Sequence, residues 1–199
     1  VVIGGGVVGT HAARMAVGLG ADVTILDRSQ RRLAELDELF EARAKTRYST
    51  FEALDEETDT ADVVVGAVLI PGASAPKLVT RDMLKGMKEG AVLVDVAIDQ
   101  GGCFETSRPT THEDPTYVVD DVLHYCVANM PGAVPLTSSH ALNNATLQYG
   151  LMLANNGLDA LRENEHLLAG LNVHQGQVTY QAVSEALGVA YVDPLAALK

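Results

Sequence analysis

Apolar positions along this chain follow two alternating patterns. Short β-branched runs are separated by segments in which apolar residues recur every third or fourth position, the periods of strand and amphipathic helix. Residues 1–3 read as a strand end, followed by Gly4-Gly5-Gly6-Val7-Val8-Gly9 and a helical pattern over 7–19 that Gly20 stops. Residues 22–26 form the next strand. Ser29 is placed to cap a helix carrying Leu33, Leu36, Leu39 and Phe40 at helical spacing. Residues 45–48 read as a strand, and Ser49 with Glu52 as a capping box that opens a short helix. Residues 62–66, around Val63-Val64-Val65, are a buried strand. Thr80 is placed to cap a helix reaching Met87, residues 91–96 are another buried strand, and later strands fall at 117–119 and 122–127.

Strands without apolar–polar alternation are covered on both faces, which predicts a parallel sheet flanked by helices. The expected fold class is therefore α/β, with a Rossmann-type doubly wound parallel sheet over residues 1–135. Beyond Pro131-Gly132-Ala133-Val134-Pro135 the pattern is helical, at 138–154, 157–168 and 180–187, the last closed by Gly188. Residues 136–199 are expected to be a helical segment of a second, incomplete domain. The chain opens without Met on what reads as the second half of a strand, so a longer parent protein is expected.

Composition narrows the function classes. The hydrophobic fraction is 47%, there is no Trp and only three Phe, so the core is built from Val, Leu, Ile and Ala. A net charge of -12 gives no attraction to phosphate backbones, and nucleic acid is an unexpected partner. No apolar run of about 18 residues is present, so no membrane span is expected, and cytoplasm is the default in the absence of a signal peptide. Cys103 and Cys126 match no zinc or redox spacing and read as small buried residues. No pair of His or Cys stands at ligand spacing on one element, so no metal is expected. His112 lies in a polar turn and His124 in a strand, which makes the first a surface residue and the second a satisfied core or edge histidine.

The spacing Gly4-x-Gly6-x-x-Gly9 gains meaning from its context. A strand precedes it, a helix follows, and Asp27 closes the next strand 18 positions after Gly9. Gly4 permits the tight turn, Gly6 admits a pyrophosphate to the helix N-terminus, and Gly9 lets helix pack on strand. Asp27 would accept hydrogen bonds from the adenine ribose and repel a 2′-phosphate, favouring NAD over NADP. Arg28, Arg31 and Arg32 oppose this if they face that phosphate, and do not if they form a solvated helix face.

Two further segments follow strands and so reach the edge where parallel sheets bind ligands. One is Asp95-Val96-Ala97-Ile98-Asp99-Gln100-Gly101-Gly102-Cys103. Asp99 there is either a group that orients an amine or a water, or a turn cap. The other is Val127-Ala128-Asn129-Met130-Pro131-Gly132, in which Asn129 either bonds a ribose or carboxamide or simply turns the chain before Pro131.

Taken together, Gly4-Gly5-Gly6-Val7-Val8-Gly9, Gly66-Ala67-Val68-Leu69-Ile70-Pro71-Gly72, the stretch from Val94 to Cys103, Ser107-Arg108-Pro109-Thr110-Thr111 and Tyr125-Cys126-Val127-Ala128-Asn129-Met130-Pro131 closely resemble the alanine dehydrogenase family, which includes the NAD(P) transhydrogenase alpha-subunit. The resemblance covers essentially the whole chain. It implies reversible, NAD-dependent oxidative deamination of L-alanine to pyruvate and ammonia, and Asp99 matches the family's catalytic aspartate. It implies cofactor contacts at Val7 and Val8, at Asp27, at Arg32 and Ser49 on the adenine side, and at Val68 and Leu69. It implies others at Val96, Ala97, Ile98 and Asp99, at Arg108, and at Val127, Ala128, Asn129 and Met130.

The resemblance also makes residues 136–199 part of a substrate domain and implies a homo-oligomer, a hexamer being common in the family. The family's catalytic histidine, and the Arg and Lys that hold the substrate, belong to an N-terminal segment outside these residues. Inactivity of this chain on its own is therefore expected. A cofactor-binding subunit of a proton-translocating transhydrogenase is the alternative, and a regulatory NAD sensor is a third reading. Ser107-Arg108-Pro109-Thr110-Thr111 and the strand-ending Asp27 favour the dehydrogenase.

Overall fold

The computed structural model of the chain describes residues 1–69 and 75–199. They form two units, Val1–Met130 and Pro131–Lys199. In the first, β1 (Val2–Ile3), β2 (Thr24–Asp27), β3 (Lys45–Tyr48), β4 (Val63–Gly66), β5 (Val92–Asp95), β6 (Thr116–Val119) and β7 (Val122–Tyr125) make one sheet. Its order is β3-β2-β1-β4-β5-β7-β6. All neighbours from β3 to β7 pair in parallel. This is the Rossmann order, and the direction of winding reverses between β1 and β4.

Successive strand residues point to opposite faces, and two cores result. Ile3, Leu26, Val64 and Leu93 pack with Ala53 and Leu54 of α3 (Phe51–Thr60) and with Met83 and Leu84 of α4 (Arg81–Leu84). Val2 and Ile25 pack with Ala13 of α1 (Val7–Gly18) and with Leu36 and Phe40 of α2 (Gln30–Phe40). Alternate residues of the same short apolar runs thus serve opposite faces, which is why those runs show no polar positions.

Three local expectations change. The sheet is not wholly parallel: β6 runs antiparallel to β7 at the edge. Only Asp120 and Asp121 separate the two strands, too few for a crossover, and both take positive φ, as a two-residue hairpin turn requires. Helix α3 is capped by Thr50, whose side chain accepts from the Ala53 N–H; Ser49 instead donates its N–H to the Asp27 carbonyl. Helix α4 ends at Leu84, before the expected Met87.

The second unit begins with α5 (Pro135–Asn156), longer than read from the pattern because Pro135 can occupy the first helical turn. The helix expected over 157–168 is two, α6 (Asp159–Glu163) and α7 (Glu165–Ala169). Asn164 is extended and caps α7 by accepting from the N–H groups of His166 and Leu167. A hairpin of β8 (Val173–His174) and β9 (Gln177–Val178) follows, then α8 (Gln181–Leu187), closed by Gly188 in the left-handed region, and α9 (Pro194–Ala197). Among the described residues, no helix is long and apolar enough to cross a membrane.

Candidate functional site

The turn between β1 and α1 is shaped by what its glycines exclude. Gly4 has φ +99°, and a Cβ there would lie 2.7 Å from the Ala67 carbonyl oxygen. A Cβ at Gly9 would collide with the Gly4 carbonyl. Gly6 differs, because a Cβ there would meet nothing within 4 Å among the described residues. Gly6 is also the N-cap of α1, no side chain among the described residues caps that helix, and its first turn holds no acidic residue. The first N–H groups of α1 therefore remain available to an anion approaching over Gly6.

Asp27 ties this turn to the end of β2. Its Oδ2 accepts from the Gly5 N–H at 2.7 Å and its Oδ1 from the Ser29 N–H at 2.8 Å. Each carboxylate oxygen keeps capacity for a further donor. Arg32 lies behind the turn: its Nε donates to the Gly5 carbonyl at 2.7 Å, and its terminal nitrogens to Thr10 Oγ1 at 2.9 Å and to Glu35 at 2.8 Å. Arg31 pairs with Glu35 as well. Of the three arginines near Asp27, Arg28 is the one that lines the adjoining cleft.

That cleft, of about 550 Å³, gathers Gly4, Gly6, Val7, Val8, Asp27, Ser49, Val68 and Leu69, together with Pro76 and Leu78. Gly9 and Arg32 support it from behind. Ile70, Pro71 and Gly72 of the stretch noted in the sequence lie outside the described residues. A second cavity, of about 640 Å³, is lined by Val1, Ala16, Asp22, Lys45 and Asp62 at the opposite ends of the strands. It contains none of the residues singled out from the sequence, and parallel sheets bind ligands at their carboxyl ends.

The remaining residues follow β5 and β7 along the same carboxyl edge without lining the cleft. After β5, Val96 donates its N–H to the Gly66 carbonyl, Ala97 and Ile98 are buried, and Asp99 stands exposed in a single 3-10 turn, Ile98–Gln100. Among the described residues no hydrogen bond or ion pair holds the Asp99 carboxylate. The folding of its loop is served instead by Asp95, a fully buried carboxylate that sequence reading passed over. Asp95 accepts from the N–H groups of Ala97, Cys103 and Phe104 and from the Ser107 hydroxyl. Burial, and the Asp95 charge beside it, push the Cys103 thiol far up, so it stays protonated.

Arg108 is held by the edge strand. Its N–H donates to the Tyr117 hydroxyl at 2.9 Å, and its guanidinium lies 4.0 Å from the centre of the Tyr117 ring. Tyr117 in turn donates to the Thr106 carbonyl and stacks on His124, its cross-strand partner, at 4.8 Å. His124 is fully buried with both ring nitrogens bonded, to Val122 O and Thr106 Oγ1. Val127 is buried, Ala128 and Asn129 are exposed, Met130 is half-buried, and Asn129 has φ +107°. His112 is exposed and its Nε2 meets the Asn129 carbonyl at 2.8 Å, so this turn is tied down from a residue read only as surface. Among the described residues, no group of three His, Cys, Asp or Glu is arranged to hold a metal ion.

The family model described as alanine dehydrogenase/PNT, C-terminal domain, matches residues 1–181. The alanine dehydrogenase of Halomonas elongata is 63% identical over 193 residues, covering 96% of this chain and 52% of the relative. That of Staphylococcus haemolyticus is 56% identical over 200 residues, covering all of this chain and 54% of the relative. A solved L-alanine dehydrogenase aligns with TM-score 0.86 at 50% identity, over 94% of this chain and 52% of that one. A transhydrogenase from Sinorhizobium meliloti aligns with TM-score 0.62 at 31% identity, over 69% of this chain and 40% of that one. The chain thus spans about half the length of the curated relatives it matches.

Proposed function

This chain belongs to the alanine dehydrogenase/PNT C-terminal domain family, and from that premise we propose that it is the NAD-binding portion of an oxidoreductase acting on L-alanine. The reaction converts L-alanine, NAD and water to pyruvate, ammonium, NADH and a proton, reversibly. The observation that carries the reading is the cleft in which an uncapped helix N-terminus, open space over Gly6 and the Asp27 carboxylate meet.

These residues fit a dinucleotide. The N–H groups of α1 would receive the pyrophosphate. Asp27 would accept from the ribose hydroxyls, and its charge disfavours a 2′-phosphate. Bound NAD supplies the acceptor for the hydride that leaves the α-carbon of alanine. Ala97 and Ile98 are buried, so any contribution they make to the cofactor site would come through backbone. Arg108 contributes a cation whose position Tyr117 sets.

Asp99 is the acting carboxylate in this account. Loss of hydride leaves a positively charged iminium, which a fixed negative charge stabilises. A carboxylate can also align the water that adds to the carbon and accept a hydrogen bond from it. Departure of ammonia then gives pyruvate. The same reading makes the protein cytoplasmic and homo-oligomeric, and assigns residues 136–199 to the substrate domain. A transhydrogenase subunit is the alternative, and the thinner structural likeness supports it less.

A fluorescence titration tests the assignment. These 199 residues should bind NADH saturably and yet form no NADH from L-alanine and NAD, since the catalytic His and the substrate-holding Arg and Lys implied by the resemblance are not among them. An absence of NADH binding overturns the cofactor assignment, and alanine-dependent NADH formation overturns the division of labour.

A further inference from the structure

The loop that carries Asp99 is gripped from two sides by opposite charges. On its inner side Asp95 takes three backbone N–H groups and the Ser107 hydroxyl, while Oδ1 lies 3.5 Å from the Cys103 Sγ. On its outer side the Lys77 ammonium donates to the carbonyls of Gly101 at 2.6 Å, Gly102 at 2.9 Å and Phe104 at 3.1 Å. An ammonium has three protons, so this set uses all of them. Backbone hydrogen bonds run alongside: Ala75 N–H to Gln100 O, Leu78 N–H to Cys103 O and Glu105 N–H to Val79 O. Gly102 has φ +74°, and a Cβ there would press on Asp95 Oδ2 at 2.6 Å and on Ser107 Cβ at 2.8 Å, so the loop is closed down tightly on the carboxylate.

The segment that provides Lys77 has a second face. Pro76 and Leu78 line the cleft assigned to the cofactor, and Lys77, between them, reaches the Asp99 loop instead. One short stretch is therefore both a wall of the cleft and the outer clamp of the loop. Within that loop Ile98 is buried and Asp99 is exposed at the crest, so the main-chain position set by the two clamps decides where the Asp99 carboxylate stands.

We infer that Lys77 and Asp95 are positioning residues for Asp99, with Lys77 registering the loop against the cofactor cleft. The inference rests on the dehydrogenase reading. A displacement of about 1 Å in a reacting group costs on the order of a hundredfold in rate, so removal of either clamp should be felt in turnover more than in cofactor affinity.

The test uses the enzyme at the full length of its relatives, with Lys77→Met, Lys77→Arg and Asp99→Asn compared to the parent. Lys77→Met should lower kcat by roughly ten- to a hundredfold, while the NADH Kd and the melting temperature stay close to parental. Lys77→Arg, which retains donors for the carbonyls, should recover much of the loss. Hydrogen exchange at the Cys103 and Phe104 amides, which bond Asp95, should quicken in Lys77→Met. Parental kcat in Lys77→Met beside a crippled Asp99→Asn overturns the clamp, as does unchanged exchange. A loss of NADH affinity equal to the loss of kcat makes Lys77 only a cleft wall and also overturns it. Parental turnover in Asp99→Asn overturns the underlying reading of the site instead, whatever the exchange shows.

Discussion

Gly5 and Asp27 are joined by a 2.7 Å hydrogen bond in which the Gly5 N–H donates to Oδ2, so the turn after β1 and the acid at the end of β2 are one rigid piece. The carboxylate that would select the ribose also fixes the turn that would receive the pyrophosphate. With a dinucleotide bound as proposed, specificity and affinity would be coupled at a single side chain.

Asp27→Ser removes the charge that opposes a 2′-phosphate and weakens the brace on Gly5. NAD affinity should fall by about 2 kcal/mol, the worth of a hydrogen bond to a charged group, or roughly thirtyfold. NADP should gain relative to NAD through Arg28, since Arg31 and Arg32 are engaged elsewhere. Adding Arg28→Ala should erase that gain. Calorimetric titration with both cofactors checks this, and an unchanged ratio in Asp27→Ser would show that Asp27 is not at the ribose.

The glycines of the turn should separate folding from binding. Gly4→Ala forces a side chain into positive φ and against the Ala67 carbonyl, so it should destabilise by about 1–2 kcal/mol or more and lower the melting temperature. Gly6 has φ −67° and, among the described residues, open space before it, so Gly6→Ala should fold like the parent but bind NADH weakly, because its methyl occupies the approach to the helix N-terminus. Equal effects of the two variants on stability would contradict this division.

His124 gives the first unit a pH dependence. Burial, outweighing the Val122 carbonyl and the Asp95 charge, holds its imidazole below the ordinary value of 6.5. A carbonyl only accepts, so Nδ1 carries the proton and Nε2 accepts from the Thr106 hydroxyl. The unfolded chain therefore binds a proton near pH 6.5 that the folded chain refuses until lower pH. The unfolded state holds more protons in that window, so stability should be full above about 6.5 and fall as pH drops below it. Melting curves from pH 8 to 5.5 should show this decline in the parent and a flatter profile in His124→Gln; superimposable profiles would rule out the assignment.

Much of the first unit was legible because each signal was local. The apolar strand end, the glycine turn, Gly20 and Asp27 specify β1, α1 and β2 almost without reference to the rest. The antiparallel edge was also readable, since Asp120-Asp121 leaves no length for a crossover, but buried character alone does not distinguish strand direction. The break at Asn164 depended on one side chain caught between capping and continuing a helix, and β8 and β9 are too short to show alternation. At the candidate site, Asp27 and Asp99 announced themselves by position after a strand. Asp95 and Lys77 did not, because their meaning arises only when the segments after β4 and β5 lie side by side. Backbone N–H groups of the loop are accepted by Asp95 and its carbonyls are bonded by Lys77.

The most direct measurement is steady-state oxidation of L-alanine by Asp99→Asn in the enzyme at the full length of its relatives, read beside its melting curve and its NADH affinity. Asn keeps the shape and removes the charge. Turnover should be lower by on the order of a hundredfold or more, the scale of a positioned acid-base or electrostatic group, with NADH affinity and melting temperature near parental. Near-parental turnover, with any loss confined to thermal stability, would contradict it and return Asp99 to the role of a turn residue.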